Sequence, residues 1–451
     1  MNDTICAVIT GSCSAAAAIL RLSGPEAWPA VTELSKRQNF SPSPRQVYYQ
    51  DIFDGDELLD KALVTFFKAP HSFTGEDVVE ISCHGSPYIK GRLLEILADK
   101  NIRPAKNGEF SMRAFLNGKM DLAQAQGLCD LIAADNAAAH GAAMNGMEGH
   151  LSAKFQLIKD ILSELLAQIE VRLDDVDDEM DALDPEYSLE TLERSATEIK
   201  SLTDTFRTGK LIKEGVKVSI VGAPNAGKSS LLNALLGFNR AIVSEDAGTT
   251  RDTIEDAFDY KGRKIILTDT AGIRAHALNA AEREGVERSR AAANAADIIV
   301  FTQDISRAAD GADAELWAEI KKSGKKIILA ENKSDINYSP SGFESAADAV
   351  LKISAKTGGG VQELKEEIIR LTNLDAVDAR SNIITSAAHY DMLSKASAEI
   401  EKAKESVSLD AGLELTAEHI RRALRGLKEI IGEVYADDIL EIIFSKFCVG
   451  K

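Results

Sequence analysis

The run GAPNAGKS at residues 222–229 joins a glycine-rich loop to a lysine and a hydroxyl, a grouping suited to phosphate. In the pattern G-x-x-x-x-G-K-S the glycines let backbone N–H groups approach phosphate oxygens, Lys228 neutralises β- and γ-phosphate charge, and Ser229 offers its hydroxyl to magnesium. The run follows the strand-like KVSIV and precedes the helix-like SLLNALLG, so a helix N-terminus would meet the anion. DTAG at residues 269–272 follows KIILT, placing Asp269 to hold the metal's shell and the Gly272 amide near the γ-phosphate, with Thr270 and Ala271 between them. GTTRD at residues 248–252 supplies Thr250 as a second magnesium ligand. NKSD, beginning with Asn332 and Lys333, ends KKIILAE. Its Asp335 carboxylate can accept two hydrogen bonds from the N–H edge of guanine, an edge adenine lacks. Ser354, Ala355 and Lys356, the run SAK, complete the base pocket. A coincidence of loops on an unrelated α/β domain is the bland alternative; five elements in this order argue against it, and a GTP-binding domain is expected.

One position breaks the pattern. Ile273 follows DTAG where a small GTPase of the Ras type carries a glutamine to hold the attacking water. Arg274 is either an internal finger toward the phosphates or an ordinary surface arginine. Glu282 in AEREG is either a distant base acting through a bridging water or a solvated helix residue.

The elements that must position these loops are legible as changes of texture. At 451 residues the chain is long enough for about three domains. Residues 1–117 mix β-like runs (KALVTFF, DVVEIS) with a helix from Tyr88 to about Asp99, an α+β pattern. Residues 118–215 are the first half of a helical domain, in which Leu151, Phe155, Ile158, Leu162, Leu165 and Ile169 follow steps of four and three and mark a long helix with one buried seam. Apolar strands alternate with helices over residues 216–374, as a doubly wound parallel sheet requires. Residues 375–451 return to helix and end in CVGK. The expected fold is therefore α/β plus α: an N-terminal α+β domain and a helical middle domain, with a Ras-like doubly wound domain inserted into the latter.

Five cysteines, Cys6, Cys13, Cys83, Cys129 and Cys448, form no C-x-x-C pair and lack a finger-spaced histidine, so neither a disulfide framework nor structural zinc is expected. Reduced thiols fit a cytoplasmic setting. The start MNDTICAVITGSCSAAAAILRLSG has no basic n-region, and no apolar run nears the roughly 18 residues that span a bilayer. We therefore expect a soluble chain without a membrane contact. The net charge of −19 argues against a broad basic surface for nucleic acid. Eleven carboxylates lie between Glu170 and Glu193 against one Arg172, read as a solvated, helix-capping loop with a magnesium cage as the alternative.

The ends of the chain narrow the family. HSFTGEDVVEISCHGS at residues 71–86, GEFSMRAFLNGKMDLAQAQGLCDLI at residues 108–132 and the terminus DDILEIIFSKFCVGK closely resemble the tRNA-modification GTPase family MnmE, also called TrmE. The resemblance covers nearly the whole chain. It implies a homodimer with an N-terminal domain for dimerisation and tetrahydrofolate. It further implies a hetero-oligomer with the flavoprotein MnmG (GidA), which together adds an aminomethyl or carboxymethylaminomethyl group to carbon 5 of the wobble uridine of certain tRNAs. The one-carbon unit would come from a tetrahydrofolate derivative. By matching motifs Arg21, Glu80, Lys119 and Lys451 fall on the folate-contacting positions, and Cys448 on the functional cysteine near that pocket. Cys83 and His84 match no catalytic pair and are expected to pack.

For the nucleotide, the resemblance implies that potassium supplies the charge missing beside Ile273 when two G domains pair. Asn225 matches the loop ligand of potassium, and Ser244, Asp246 and Thr249 fall on the loop that closes over it. GTP would then be contacted by Asn225, Ala226, Gly227, Lys228, Ser229 and Ser230, by Ser244 to Thr250 including Glu245, Ala247 and Gly248, and by the DTAG, NKSD and SAK runs. Glu282 matches the family's water-orienting glutamate. The chain departs from the family at SEDAGTT, which commonly begins with a threonine and an apolar residue, and at GSCSAAAAI, which is less rich in glycine. A regulatory GTPase of ribosome assembly, with no folate and no need of a terminal cysteine, is the rival class. Arg421, Arg422, Arg425 and Lys428 are either a local tRNA patch or a solvated helix face.

Overall fold

The structure is a computed structural model that describes residues 3–11, 13–174, 181–237, 256–268, 296–336, 342–375, 381–435, 440, 443–445, 447 and 450. The chain divides into two compact units: Met1–Cys129, Ser152–Met180 and Ala417–Lys451 in the first, Asp130–Leu151 and Asp181–Thr416 in the second.

The first unit is built on a six-stranded sheet with spatial order β3-β4-β5-β2-β1-β6. Its strands are β1 (Ile5–Val8), β2 (Ala15–Ser23), β3 (Val47–Asp54), β4 (Glu57–Phe67), β5 (Val78–Gly85) and β6 (Arg103–Pro104). The β-like run KALVTFF forms part of β4, where burial alternates through Asp60, Ala62, Val64 and Phe66. The alanine run forms β2, although Ala15, Ala16 and Ala17 are exposed and burial begins at Ala18. Helices α1 (Ala27–Leu34) and α2 (Pro87–Asp99) cover one sheet face through Val31, Leu93 and Leu97. On the strands, Val47, Tyr49 and Leu63 remain exposed. Helix α3 (Glu109–Leu116) follows, then α4 (Leu122–Ala133).

Asn136 caps α5 (Ala137–Met147) by accepting from the Ala139 N–H at 2.9 Å. The predicted long helix is α6 (His150–Leu173), and all six seam residues are buried. Asp184, in the acidic run, caps α7 (Pro185–Thr203) through the Glu186 N–H. Helix α8 (Phe206–Glu214) leads directly into the second sheet.

That sheet has the order β12-β11-β10-β7-β9-β8. Strands β7 (Val216–Val221), β9 (Arg263–Thr268), β10 (Ile298–Asp304), β11 (Lys326–Asn332) and β12 (Ala349–Lys352) run parallel, and β8 (Asp256–Tyr260) is antiparallel to β9. Helices α9 (Lys228–Leu236) and α11 (Val361–Leu371) pack against one face; α10 (Gly311–Lys321) covers the other with Trp317 and Ile320. This is the doubly wound arrangement expected from the strand runs. Helices α12 (Ala387–Ser408) and α13 (Leu413–Ile431) complete the described elements, α12 packing on α7. Among the described residues no helix is long and apolar enough to cross a membrane, and no group of three or more His, Cys, Asp or Glu side chains is placed to hold a metal.

Candidate functional site

Parallel strands bring their carboxyl ends to one edge of the sheet, which is where ligands of open α/β sheets bind. The P-loop leaves β7 there, NKSD closes β11, and SAK follows β12. Backbone geometry explains the residue choices. Asn225 and Gly227 take left-handed φ values of 64° and 93°. A Cβ on Gly227 would lie 2.2 Å from Asn332 Nδ2, and one on Gly222 would lie 2.2 Å from the Thr302 carbonyl oxygen, so both glycines are required by close approach.

Asn332 ties three loops together. Its Nδ2 donates to the Ala226 carbonyl at 2.8 Å, and its Oδ1 accepts from the Ala355 N–H at 3.0 Å. Asn332 is 2% exposed, so this amide is a strut within the pocket wall. Lys228 Nζ donates to the Gly222 and Ala223 carbonyls, both at 2.8 Å, and burial pushes its pKa down. Folded onto its own loop, the ammonium is already placed where phosphate oxygens would recruit it. Ser354 Oγ donates to Asp335 Oδ1 at 2.6 Å; that bond, with backbone donation, holds the carboxyl below its ordinary range. Asp335 is therefore an anion ready to accept from a base edge.

The sequence did not single out Asp304, at the end of β10. It accepts from Ser306 Oγ at 2.6 Å and pairs with Lys333 Nζ at 2.5 Å, fixing the aliphatic stem of Lys333 beside the cleft. Burial opposes ionisation of Asp304, but Lys333 and Ser306 outweigh it and keep the carboxyl below its usual range. Its signal was the acidic end of a buried strand, a position that periodicity treats as ordinary. The resulting open cleft of about 580 Å³ is lined by Gly227, Ser230, Asn233, Lys333, Asp335 and Lys356 among others. Ser229 and Ser230 are exposed at the N-terminus of α9, where a hydroxyl can serve a hard cation bound to phosphate, so the residues present fit magnesium. Exposed Asn225 leaves an amide oxygen for a monovalent cation on the same loop.

In the first unit Arg21 and Glu80 are register partners on β2 and β5. Arg21 Nη2 stands 2.8 Å from Glu80 Oε1, with the Phe73 ring centroid 5.0 Å from the guanidinium carbon. Lys119 Nζ donates to the Pro70 carbonyl at 3.0 Å. All three thus gather about the 70–76 loop, and a fused aromatic ring with amide edges fits a cation, a carboxylate and Phe73. Cys83 is buried, and burial pushes its thiol up to about 11, as packing requires. His84 instead exposes its ring, with Nδ1 2.7 Å from Asp60 Oδ1. Ser244, Glu245, Asp246, Ala247, Gly248, Thr249, Thr250, Asp269, Thr270, Ala271, Gly272, Ile273, Arg274, Glu282, Cys448 and Lys451 lie outside the described residues.

A P-loop at β7, the NKSD run closing β11 and a doubly wound sheet define the second unit's core as a Ras-like G domain, and the chain as a GTPase. The profile described as "MnmE helical domain" matches residues 122–448, and "GTP-binding protein TrmE N-terminus" matches residues 4–119. Proteins named tRNA modification GTPase MnmE from Christiangramia forsetii, Endomicrobium trichonymphae and Aquifex aeolicus are 39%, 39% and 38% identical. Each alignment covers 100% of this chain and at least 99% of the relative. The chain belongs to the MnmE family of tRNA modification GTPases.

Proposed function

We propose that this protein is a cytoplasmic, potassium-stimulated GTPase that acts as a homodimer with the flavoprotein MnmG. Together they install an aminomethyl or carboxymethylaminomethyl group at carbon 5 of the wobble uridine of certain tRNAs. The observation that carries this reading is a P-loop, NKSD and SAK brought to one cleft in a chain 39% identical, end to end, to proteins named tRNA modification GTPase. Residues 1–117 take the tetrahydrofolate derivative that supplies the one-carbon unit, residues 118–215 and 375–451 form the helical domain, and residues 216–374 hydrolyse GTP.

At the nucleotide, Lys228 and the P-loop amides, including those of Ala226 and Gly227, bind the phosphates, and Asp335 with Asn332, Ala355 and Lys356 orients guanine. Ser229 and Thr250 hold magnesium, while Asn225, Ser244, Asp246 and Thr249 hold potassium. A potassium ion supplies positive charge beside the β- and γ-phosphates, the contribution an arginine finger makes elsewhere. Glu282 orients the water that Ile273 cannot hold. In the first unit Arg21, Glu80, Lys119 and Lys451 bind the folate, with Cys448 adjacent. The exposed Val47, Tyr49 and Leu63 support pairing of two copies, since a cluster of large apolar side chains on a strand pair is costly to leave in water. The test is mass analysis of tRNA nucleosides from cells lacking the gene, complemented with wild type or Asp335→Asn. Loss of the modified uridine without the protein, restored by wild type alone, is expected; unchanged nucleosides would overturn the reading.

A further inference from the structure

The chain between GTTRD and DTAG, the two runs expected to sense the terminal phosphate, is the β8–β9 hairpin, and this hairpin is docked on α5. A hydrogen bond, an ion pair and a close steric fit make the joint. A two-residue turn closes the hairpin with Lys261 and Gly262 at φ 51° and 75°, the left-handed pair that suits such turns. Its Gly262 carbonyl accepts from the Ala138 N–H at 2.9 Å. Ala138 sits in the first turn of α5, where backbone donors have no partner within the helix, so the hairpin turn caps the helix. Lys264 Nζ lies 2.6 Å from Asp135 Oδ2, just before the Asn136 cap. The fit is also steric: a Cβ on Gly262 would stand 2.9 Å from Ala137 Cβ.

The far end of α5 is held as well. Asn145 Nδ2 donates to the Ser381 carbonyl at 3.2 Å and to Asn382 Oδ1 at 3.1 Å, on the segment by which the chain returns from the G domain. Helix α5 is thus a strut between the hairpin that separates the two phosphate-sensing runs and the exit from the inserted domain. It continues in sequence into α6. Beyond β9, the P-loop strand β7 is the hairpin's neighbour in the sheet.

We propose that the β8–β9 hairpin transmits the nucleotide state of the G domain to α5, with Gly262, Ala137, Lys264 and Asp135 as the coupling joint. These are positioning residues: none touches the nucleotide, and they act by moving a helix whose N-terminus the hairpin caps. The inference rests on the GTPase assignment alone and needs neither the folate chemistry nor the tRNA, so it stands or falls apart from those proposals.

Hydrogen exchange read by mass spectrometry on the full chain, with GDP or with a non-hydrolysable GTP analogue plus magnesium and potassium, tests it. In wild type the amides of residues 138–143 are expected to differ about fivefold in exchange rate between the two states, the low end of ordinary allosteric coupling. Gly262→Ala, which drives a methyl into Ala137, is expected to cut that difference below about twofold while GTP affinity holds, and adding Ala137→Gly to restore it. Should Gly262→Ala fold poorly, Lys264→Ala removes the ion pair without adding volume, and the charge-swapped pair Asp135→Lys with Lys264→Asp is expected to recover what it loses. Equal exchange in the two nucleotide states of the wild type, or an undiminished difference in both Gly262→Ala and Lys264→Ala, would overturn the proposal.

Discussion

At the scale of single residues, the nucleotide pocket depends on side chains that bond to backbone. Asn332 holds Ala226 on one side and Ala355 on the other from a buried position, so removing it leaves a carbonyl and an amide without their partner. Asn332→Ala is expected to cost about 1–3 kcal/mol and to weaken GTP binding, because an orphaned buried group bears its full desolvation penalty. Fluorescent GDP titration and thermal melting check both parts. Asp335→Asn tests the base contact itself: an amide offers the guanine N–H edge one acceptor group and an unwanted donor. Loss of hydrogen bonds to a charged acceptor, about 1.5–3 kcal/mol, lowers GTP affinity roughly 10- to 150-fold. Xanthine, which carries a carbonyl where guanine has its amino group, should bind the variant better than guanine does. A variant with unchanged preference for guanine would remove Asp335 from the base pocket.

At the scale of elements, α3 is held to its sheet by charge. Arg113 is 1% exposed and reaches Asp3 Oδ1 at 2.9 Å, Glu76 Oε2 and Glu109 Oε1 both at 3.1 Å, while Arg103 meets Glu109 at 2.5 Å. Glu76 belongs to the loop that carries Phe73 and Pro70, so the network fixes the surroundings of Arg21 and Lys119 as well. Burial pushes the Glu109 carboxyl up, but donation from Arg103, the Lys106 N–H and Arg113 outweighs it, and its pKa is lowered. A carboxyl with a depressed folded value stabilises fully above its unfolded value and loses that contribution as pH falls through the folded one. The first unit is therefore expected to weaken below about pH 4.5. Glu109→Gln removes the buried carboxylate that Arg103 and Arg113 share, leaving Asp3 and Glu76 to balance them, and should cost about 3 kcal/mol at neutral pH. Denaturation at pH 7 and pH 4 should show the gap between wild type and variant narrowing in acid; a constant gap would detach Glu109 from the acid lability.

At the scale of the whole molecule, net charge bears on the partners. A chain of net charge −19 repels tRNA at long range. The candidate basic patch is partly matched already, with Arg421 3.1 Å from Glu170 and Arg422 2.8 Å from Glu418. Charge reversal of Arg421, Arg422, Arg425 and Lys428 is accordingly expected to leave tRNA binding nearly unchanged, measured by filter retention across a salt series. If catalysis needs a potassium ion at paired G domains, GTP turnover per chain should rise with protein concentration in potassium. It should be slower by on the order of tenfold or more in sodium, since a missing charge stabiliser costs that much or more. Equal rates in the two salts would remove the ion from the mechanism.

The order of motifs along the chain already determined the class of nucleotide and the strands that lead into the P-loop, DTAG and NKSD, because phosphate and guanine binding depend on local turns whose residues lie within a few positions of one another. The seam of α6 was equally plain, since a helix buries one face at a fixed period. Pairing across long separations was not readable. That Asn332 braces Ala226 across 106 positions, that Asp304 fixes Lys333, and that Gly262 caps α5 from 124 residues away depend on which strands become neighbours. Sequence period says which face of an element is buried; only the folded chain says against what.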